Sequence, residues 1–351
     1  MGIDRSLHKS GIYLSDLDTA IKHTVGIEKL KESRILITGA TGTIGSFVTD
    51  MLLRNNQKND ANIRIFAAGR DTDRLRRIFE NFGGVTALPY ELEEKIKFDV
   101  PIDYIIHCAG NAHPAAFNSD PVGTIIGNVN GTYHLLDYGR THGAARLLYV
   151  SSGEVYGQGD LQLEEFEETY AGYLNTQSPR FCYPSSKRTA ENLCASYSMQ
   201  YGLETVVVRP CHTYGPWMTS SDNRASVQFM NNVLRGEDII MKSAGDQMRS
   251  YNYIADCASA LLTVLINGNS GEAYNLANPE CRVTIARFAR IVASAAGREV
   301  IFKVPDRMDI ANRTPIARQV LSTGKIEALG WKGAFSLEKG IRHTIDILWG
   351  K

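Results

Sequence analysis

Residues 34–53 read RILITGATGTIGSFVTDMLL, and the fold is decided here. Arg34 to Thr38 form a short apolar run with the character of a buried strand. Gly39, Gly42 and Gly45 follow at three-residue spacing. Ile44, Phe47, Val48, Met51 and Leu52 then recur at helical spacing. A strand, a glycine turn and a helix start together make a phosphate site. The glycines let the backbone approach a pyrophosphate, and the helix N-terminus offers free N–H groups and partial positive charge. The context is that of a dinucleotide-binding turn.

Working outward, the pattern alternates. Strands are expected at 34–38, 63–68, 103–108, 146–151 and 204–208, with helices at 44–55, 72–82, 121–142 and 184–201. This alternation predicts an α/β fold, a Rossmann-type doubly wound parallel sheet with helices on both faces. Ligands in such sheets lie beyond the carboxyl ends of the strands. Gly39, Ala109, Ser152 and Pro210 each fall just after an expected strand and should line one crevice. Past Pro210 the pattern breaks into short, turn-rich segments, which predicts a smaller mixed C-terminal lobe for substrate. The organisation expected is an N-terminal extension over 1–33, a dinucleotide-binding domain over 34–209 with a return segment near 252–267, and a lobe mainly from 210–351. The extension should hold one short helix capped by Ser15 or Asp16. Asp256 is placed to cap or steer the returning helix.

Composition narrows the function. The chain has 351 residues, 43% hydrophobic, with zero formal net charge. That size suits one large domain with a lobe attached. Neutral overall charge argues against a nucleic-acid binder. No run of about eighteen apolar residues is present, so no membrane span is expected, and the first thirty residues lack the apolar core of a signal peptide. The six cysteines are scattered, with no CxxC pair, and read as reduced thiols of a cytoplasmic protein. Eight histidines show no metal-ligand spacing, so no catalytic metal is expected.

The chemistry is carried by a second motif. Tyr183 and Lys187 stand four apart in FCYPSSKR, downstream of LLYVSSGEVYG. Residues at that spacing share a helix face. An ammonium beside a phenol favours phenolate, so Tyr183 could accept a proton near neutral pH. Ser151 or Ser152 would hold the same substrate hydroxyl. A surface helix that happens to carry Tyr and Lys is the alternative.

With both motifs read, the chain from about Arg34 onward resembles the extended short-chain dehydrogenase/reductases, the NAD-dependent epimerase/dehydratase family. GATGTIG is similar to that family's dinucleotide loop, IIHCAG to its third-strand signature, SSGEVYG with YPSSK to its active site, and VVVRPCHTYGP to its crossing segment. Ser152, Glu154 and the run from Pro179 to Arg188 resemble most the UDP-glucuronate decarboxylase branch. The resemblance implies a nucleotide-sugar substrate oxidised transiently at C4, with decarboxylation or epimerisation to follow. It implies Ser152, Glu154, Tyr183 and Lys187 as catalytic residues. It places Gly39, Thr41, Gly42, Thr43, Ile44, Gly45, Arg70, Ala109, Gly110, Asn128 and Pro210, with Tyr183 and Lys187, around the cofactor. Asn111, His113, His212 and Arg249 would meet the substrate, Arg249 through its diphosphate. A homodimer through the helices near 121–142 and 184–201 is implied as well.

Three positions depart from the pattern. Gly153 stands where dehydratases carry an aspartate and decarboxylases a serine, and His212 stands where an asparagine is usual. At the end of the second strand, Gly69, Arg70 and Asp71 replace the acidic residue that favours NAD. The cofactor is therefore NAD or NADP, tightly bound if the reaction is redox-neutral. A net NADP-dependent reductase of a nucleotide-linked or phosphorylated sugar or polyol precursor is the alternative function, and a non-catalytic dinucleotide sensor the second.

Overall fold

The computed structural model describes residues 7–110, 112, 114–160, 162–218, 222–303 and 316–351. Asn111 and His113 lie outside the described residues. In chain order the first half comprises α1 (Gly11–His23), β1 (Arg34–Thr38), α2 (Thr43–Asn59), β2 (Arg64–Gly69), α3 (Thr72–Phe79), β3 (Thr86–Pro89), β4 (Tyr104–His107), α4 (Pro114–Ser119), α5 (Pro121–Thr141), β5 (Arg146–Val150), α6 (Cys182–Tyr201) and β6 (Glu204–Pro210). Then come β7 (His212–Tyr214), α7 (Ala225–Leu234), β8 (Ile239–Met241), β9 (Met248–Tyr253), α8 (Ile254–Asn267), β10 (Glu272–Leu276), β11 (Arg282–Thr284), α9 (Ile285–Ala295), β12 (Val300–Phe302), β13 (Arg318–Gln319) and a C-terminal helix, Leu337–Leu348.

Seven strands form one sheet in the order β10-β6-β5-β4-β1-β2-β3, and every pairing is parallel. Parallel sheets are covered on both faces, which is why the strands read as unbroken apolar runs. The residues Leu36, Ile105, Leu147 and Val206 are fully buried. Register brings the carboxyl ends together: Thr38 pairs His107, His107 pairs Tyr149, and Val150 pairs Val208. The strand order reverses direction between β1 and β4, which opens the crevice where a dinucleotide sits in this architecture.

Two findings differ from the sequence reading. The strand Glu272–Leu276, expected within the smaller lobe, completes the large sheet beside β6. The first helix begins at Gly11 with Ser10 as its cap, and not at Ser15 or Asp16. Asp16 lies on the buried inner face of that helix and accepts hydrogen bonds from Tyr253 Oη at 2.6 Å and His343 Nδ1 at 2.8 Å. The N-terminal segment therefore packs on the body of the molecule. Asp256 sits in the first turn of α8 but serves other backbone, accepting from Ala334 N at 2.8 Å and Phe335 N at 3.2 Å. Burial raises its carboxyl to about 6.

The smaller lobe centres on β9, which pairs with β7, β11 and β13. A separate parallel pair joins β8 and β12. Among the described residues, no helix is long and apolar enough to cross a membrane.

Candidate functional site

The glycine turn is held by contacts that leave no room for side chains. Gly39 adopts φ +70°, and a Cβ there would stand 2.7 Å from Ala109 N. At Gly45 a Cβ would stand 2.3 Å from Gly39 O. Only glycine fits either place, the first for its backbone conformation as well as its size. The turn is closed by Gly42 N donating to Gly39 O at 2.9 Å. The turn delivers the chain into α2 at Thr43, whose first N–H groups have no intrahelical acceptor. Thr41, Gly42, Thr43 and Ile44 are half-buried along the rim.

Across the switch point, Gly110 has φ +152°, and a Cβ there would meet Asn128 Oδ1 at 2.9 Å and Lys187 Nζ at 3.7 Å. Asn128 Nδ2 donates to Ser186 Oγ at 3.0 Å. Asn128 Oδ1 and Ser151 Oγ are buried without hydrogen-bond partners among the described residues. Buried polar atoms left over at such an edge call for a partner that the protein's own side chains do not supply. Together with the glycine cradle they fit a dinucleotide. Pro210 closes the end of β6 and is buried. Arg70 is exposed just past β2, and the Asp71 carboxylate is occupied in capping α3, accepting from Arg74 N at 2.8 Å.

The catalytic candidates come together beyond β5. Tyr183 is buried at the start of α6, with its ring stacked on Phe117 at 5.2 Å. Burial pushes its phenol above the ordinary range, and the Glu154 charge adds to that; hydrogen bonding to Ser152 and the charge of Arg224 pull it down. Ser152 Oγ accepts from Glu154 N at 3.1 Å, which leaves its own proton to give. Lys187 is buried one helical turn on, and its Nζ donates to Val150 O at 2.8 Å. Its ammonium lies 4.6 Å from the Tyr149 ring centre and 5.8 Å from that of Tyr183. Burial lowers it to about 8. The Arg224 charge, which the sequence reading did not foresee, pulls the phenol down, and Lys187 lies close to the same ring, on the helix face its spacing predicted.

Glu154 is half-buried and pairs with Arg180 Nη1 at 3.5 Å. Its charge also supports those of Arg224 and Arg249. Glu154 is thus ion-paired to one guanidinium, that of Arg180, and feels the charge of two more, Arg224 and Arg249, each of which has closer partners of its own. Arg224 is in turn paired with Asp222 at 2.6 Å. Arg249 is buried and donates to the carbonyls of Met248, Ala317 and Ile316, three bonds from a group with five N–H donors. His212 shares a hydrogen bond with Gln319 Oε1 at 3.0 Å, and burial, with Arg249 and Arg224 nearby, lowers it to about 3. It is a neutral imidazole. At Gly153 a Cβ would press on Leu321 Cδ1 at 3.3 Å, with Gln319 Nε2 at 3.5 Å.

Sequence reasoning missed Arg224, Gln319 and Phe117. Arg180 was legible as part of PRFCY, but the carboxylate it meets, Glu154, stands 26 residues away in the chain. Arg224 lies in a turn-rich stretch with no periodicity, and nothing local marks it.

Residues 35–277 match the family described as the NAD dependent epimerase/dehydratase family. UDP-glucuronic acid decarboxylase 1 of Xenopus tropicalis is 33% identical over 315 residues, 89% of this chain and 71% of that protein. The UDP-glucose 4-epimerase of Thermotoga maritima, solved with UDP-glucose, superposes with a TM-score of 0.75 at 23% identity, covering 90% of this chain and 98% of that one. The dTDP-glucose 4,6-dehydratase of Streptomyces venezuelae, solved with NAD bound, gives 0.74 at 24% identity, covering 90% and 96%. The crevice, the glycine cradle and the Tyr183–Lys187 pair are thus seated in a chain that belongs to the NAD dependent epimerase/dehydratase family.

Proposed function

We propose that this protein is an NAD-dependent nucleotide-sugar enzyme that oxidises the sugar at C4 transiently and then decarboxylates a C5 carboxylate. The observation that carries the reading is the buried Tyr183 phenol with Lys187 one turn on and Glu154, ion-paired to Arg180, just past β5. Arg180, Arg224 and Arg249 are guanidinium groups of the kind that suits a substrate with several anionic groups, a diphosphate and a carboxylate. The similarity to decarboxylases over most of the chain supports it.

Gly39 to Gly45, Asn128 and Lys187 would hold the dinucleotide. When bound, its nicotinamide supplies hydride acceptance and return at C4. Tyr183 takes the proton of the C4 hydroxyl, and Ser152 holds that hydroxyl in line. A ketone at C4 makes the C5 carboxylate a β-keto acid. The C–C bond then breaks, carbon dioxide leaves, and the electron pair passes to the ketone oxygen beside the Tyr183 phenol. Glu154 would supply the proton that takes the place of the lost carboxyl group at C5, and Tyr183 returns its proton to the C4 oxygen as the ketone is reduced again. Gly153 offers no side-chain acid of the kind dehydration would need.

A second reading concerns the dinucleotide. Arg70 is exposed at the end of β2 while Asp71 is engaged as a helix cap. That arrangement favours a 2′-phosphate, hence NADP and a net reductase. The exposed Val122, Ile125, Ile126 and Tyr133 of α5, with Met199 and Tyr201 of α6, are proposed as the face of a homodimer.

One preparation tests these readings. Purified protein is incubated with UDP-glucuronate, UDP-glucose and other nucleotide sugars without added cofactor. Mass spectrometry of products and of carried dinucleotide is expected to show loss of carbon dioxide and retained NAD, and sedimentation a dimer. Steady consumption of NADPH would establish the reductase instead, and no conversion of any nucleotide sugar would defeat the proposal.

A further inference from the structure

Asp50 is a fully buried carboxylate on α2, two helical turns beyond Thr43. A carboxylate buried without partners is costly, so what satisfies it matters. Both of its oxygens are met by the N-terminal segment. His8 Nε2 lies 2.9 Å from Oδ1, and Tyr13 Oη donates to Oδ2 at 2.5 Å. Tyr13 Oη in turn accepts from Trp217 Nε1 at 2.6 Å. The backbone oxygen of Trp217 then accepts from Thr43 Oγ1 at 3.0 Å. Thr43 is the first residue of α2, at the rim of the glycine turn. Ring contacts fix the members of this path. His8 stacks on Phe82 at 4.2 Å, and Tyr13 meets Phe47 edge-on at 5.6 Å.

We propose that the N-terminal segment is a working part of the cofactor site, with His8, Tyr13 and Trp217 as positioning residues that clamp the segment after β7 onto Thr43 and so govern how tightly and how long the dinucleotide is held. The proposal rests on the dinucleotide reading of the glycine turn. Its physical content is preorganisation: a turn held in its binding geometry loses less freedom when ligand arrives.

The alternative is that the first helix only covers apolar surface. The molecule supplies its own control. A second buried carboxylate at the same interface, Asp16 on α1, is bonded by Tyr253 Oη at 2.6 Å and by His343, hydrogen bonds that lead to β9 and the C-terminal helix rather than to Thr43. Tyr13→Phe and Tyr253→Phe each delete one buried hydroxyl from the same interface.

The test uses full-length protein freed of bound dinucleotide. The Kd and dissociation rate for NAD are measured by calorimetry and stopped flow, alongside the unfolding midpoint without ligand. Tyr13→Phe is expected to weaken NAD binding and hasten its release by about tenfold, because Trp217 Nε1 loses its acceptor geometry and Asp50 a donor. Tyr253→Phe is expected to lower the midpoint comparably while leaving Kd within about twofold of wild type. Equal affinity in Tyr13→Phe and wild type overturns the proposal, as does loss of affinity in both variants in step with stability. If Tyr13→Phe does not fold, Trp217→Phe, which keeps an aromatic ring and removes the indole N–H, is read against the same outcomes. Wild-type protein that binds neither NAD nor NADP refutes the dinucleotide reading itself, a result distinct from either variant pattern, and this proposal with it.

Discussion

The two walls of the crevice are made of different material. The proposed cofactor wall is backbone: Gly39 lies so close to Ala109, and Gly45 so close to Gly39, that no side chain fits at either. The proposed substrate wall is side chain: Ser152 and Glu154 come from the turn after β5, Arg180 and Tyr183 from the chain entering α6, and Arg224 and Arg249 from the chain beyond β7. A backbone-built wall requires glycines at close, fixed spacing within one short stretch, so it announces itself in the sequence. A side-chain wall requires only that distant positions meet, and it can vary while the fold persists. The difference fits a family in which one cofactor architecture serves several sugar chemistries.

Three changes break or sharpen that contrast. Tyr183→Phe should lower kcat by about 10²–10⁴-fold, the usual range for losing a positioned acid–base group, with NAD affinity unchanged in calorimetry. A substantial loss of NAD binding instead would show that the phenol belongs to the cofactor wall. Gly45→Ala should act the opposite way. Its methyl meets Gly39 O, and overpacking of this kind costs about 1–3 kcal/mol, to be seen as weaker dinucleotide binding and a lower unfolding midpoint. A variant with wild-type affinity would mean that the turn yields easily.

The smallest effect is on pH dependence. Arg224 pulls the Tyr183 phenol down against burial and Glu154. Arg224→Gln removes that pull, so the phenol rises further and less phenolate exists at any given pH. The ascending limb of the kcat profile should move to higher pH, with modest loss at alkaline pH. A limb that stays in place would assign Arg224 to substrate phosphate alone.

Much of the fold was legible. The expected strand 34–38 coincides with Arg34–Thr38, and the helix at 121–142 with Pro121–Thr141 to within one residue. Long apolar or amphipathic runs are strongly periodic, and little else can be made from them. The strands Thr86–Pro89 and Glu272–Leu276 were not legible. One is four residues ending in proline, the other carries Glu272 and Asn275 among few apolar residues, and both owe their state to a neighbouring strand. The helix cap at Ser10 lost to Ser15 and Asp16 in the reading because Asp16 looks like a cap by type; its partners, Tyr253 and His343, are more than 230 residues away. Tyr183 and Lys187 were found by spacing, and Arg224 was not, because its meaning lies wholly in what folds against it.

The placement of Glu272–Leu276 bears on how the molecule is assembled. Its partner Glu204–Pro210 reads ETVVVRP, a flat row of valines. Until the later segment arrives, that strand is a bare edge with unpaired amide and carbonyl groups, the kind of surface that recruits strands from other chains. The intervening sixty-odd residues must loop out and come back, a slow, non-local step by the ordinary cost of closing long loops. A polypeptide still emerging from the ribosome at Pro210 therefore holds six strands and an open seam, and its first half is not a module that could be cut free and expressed alone.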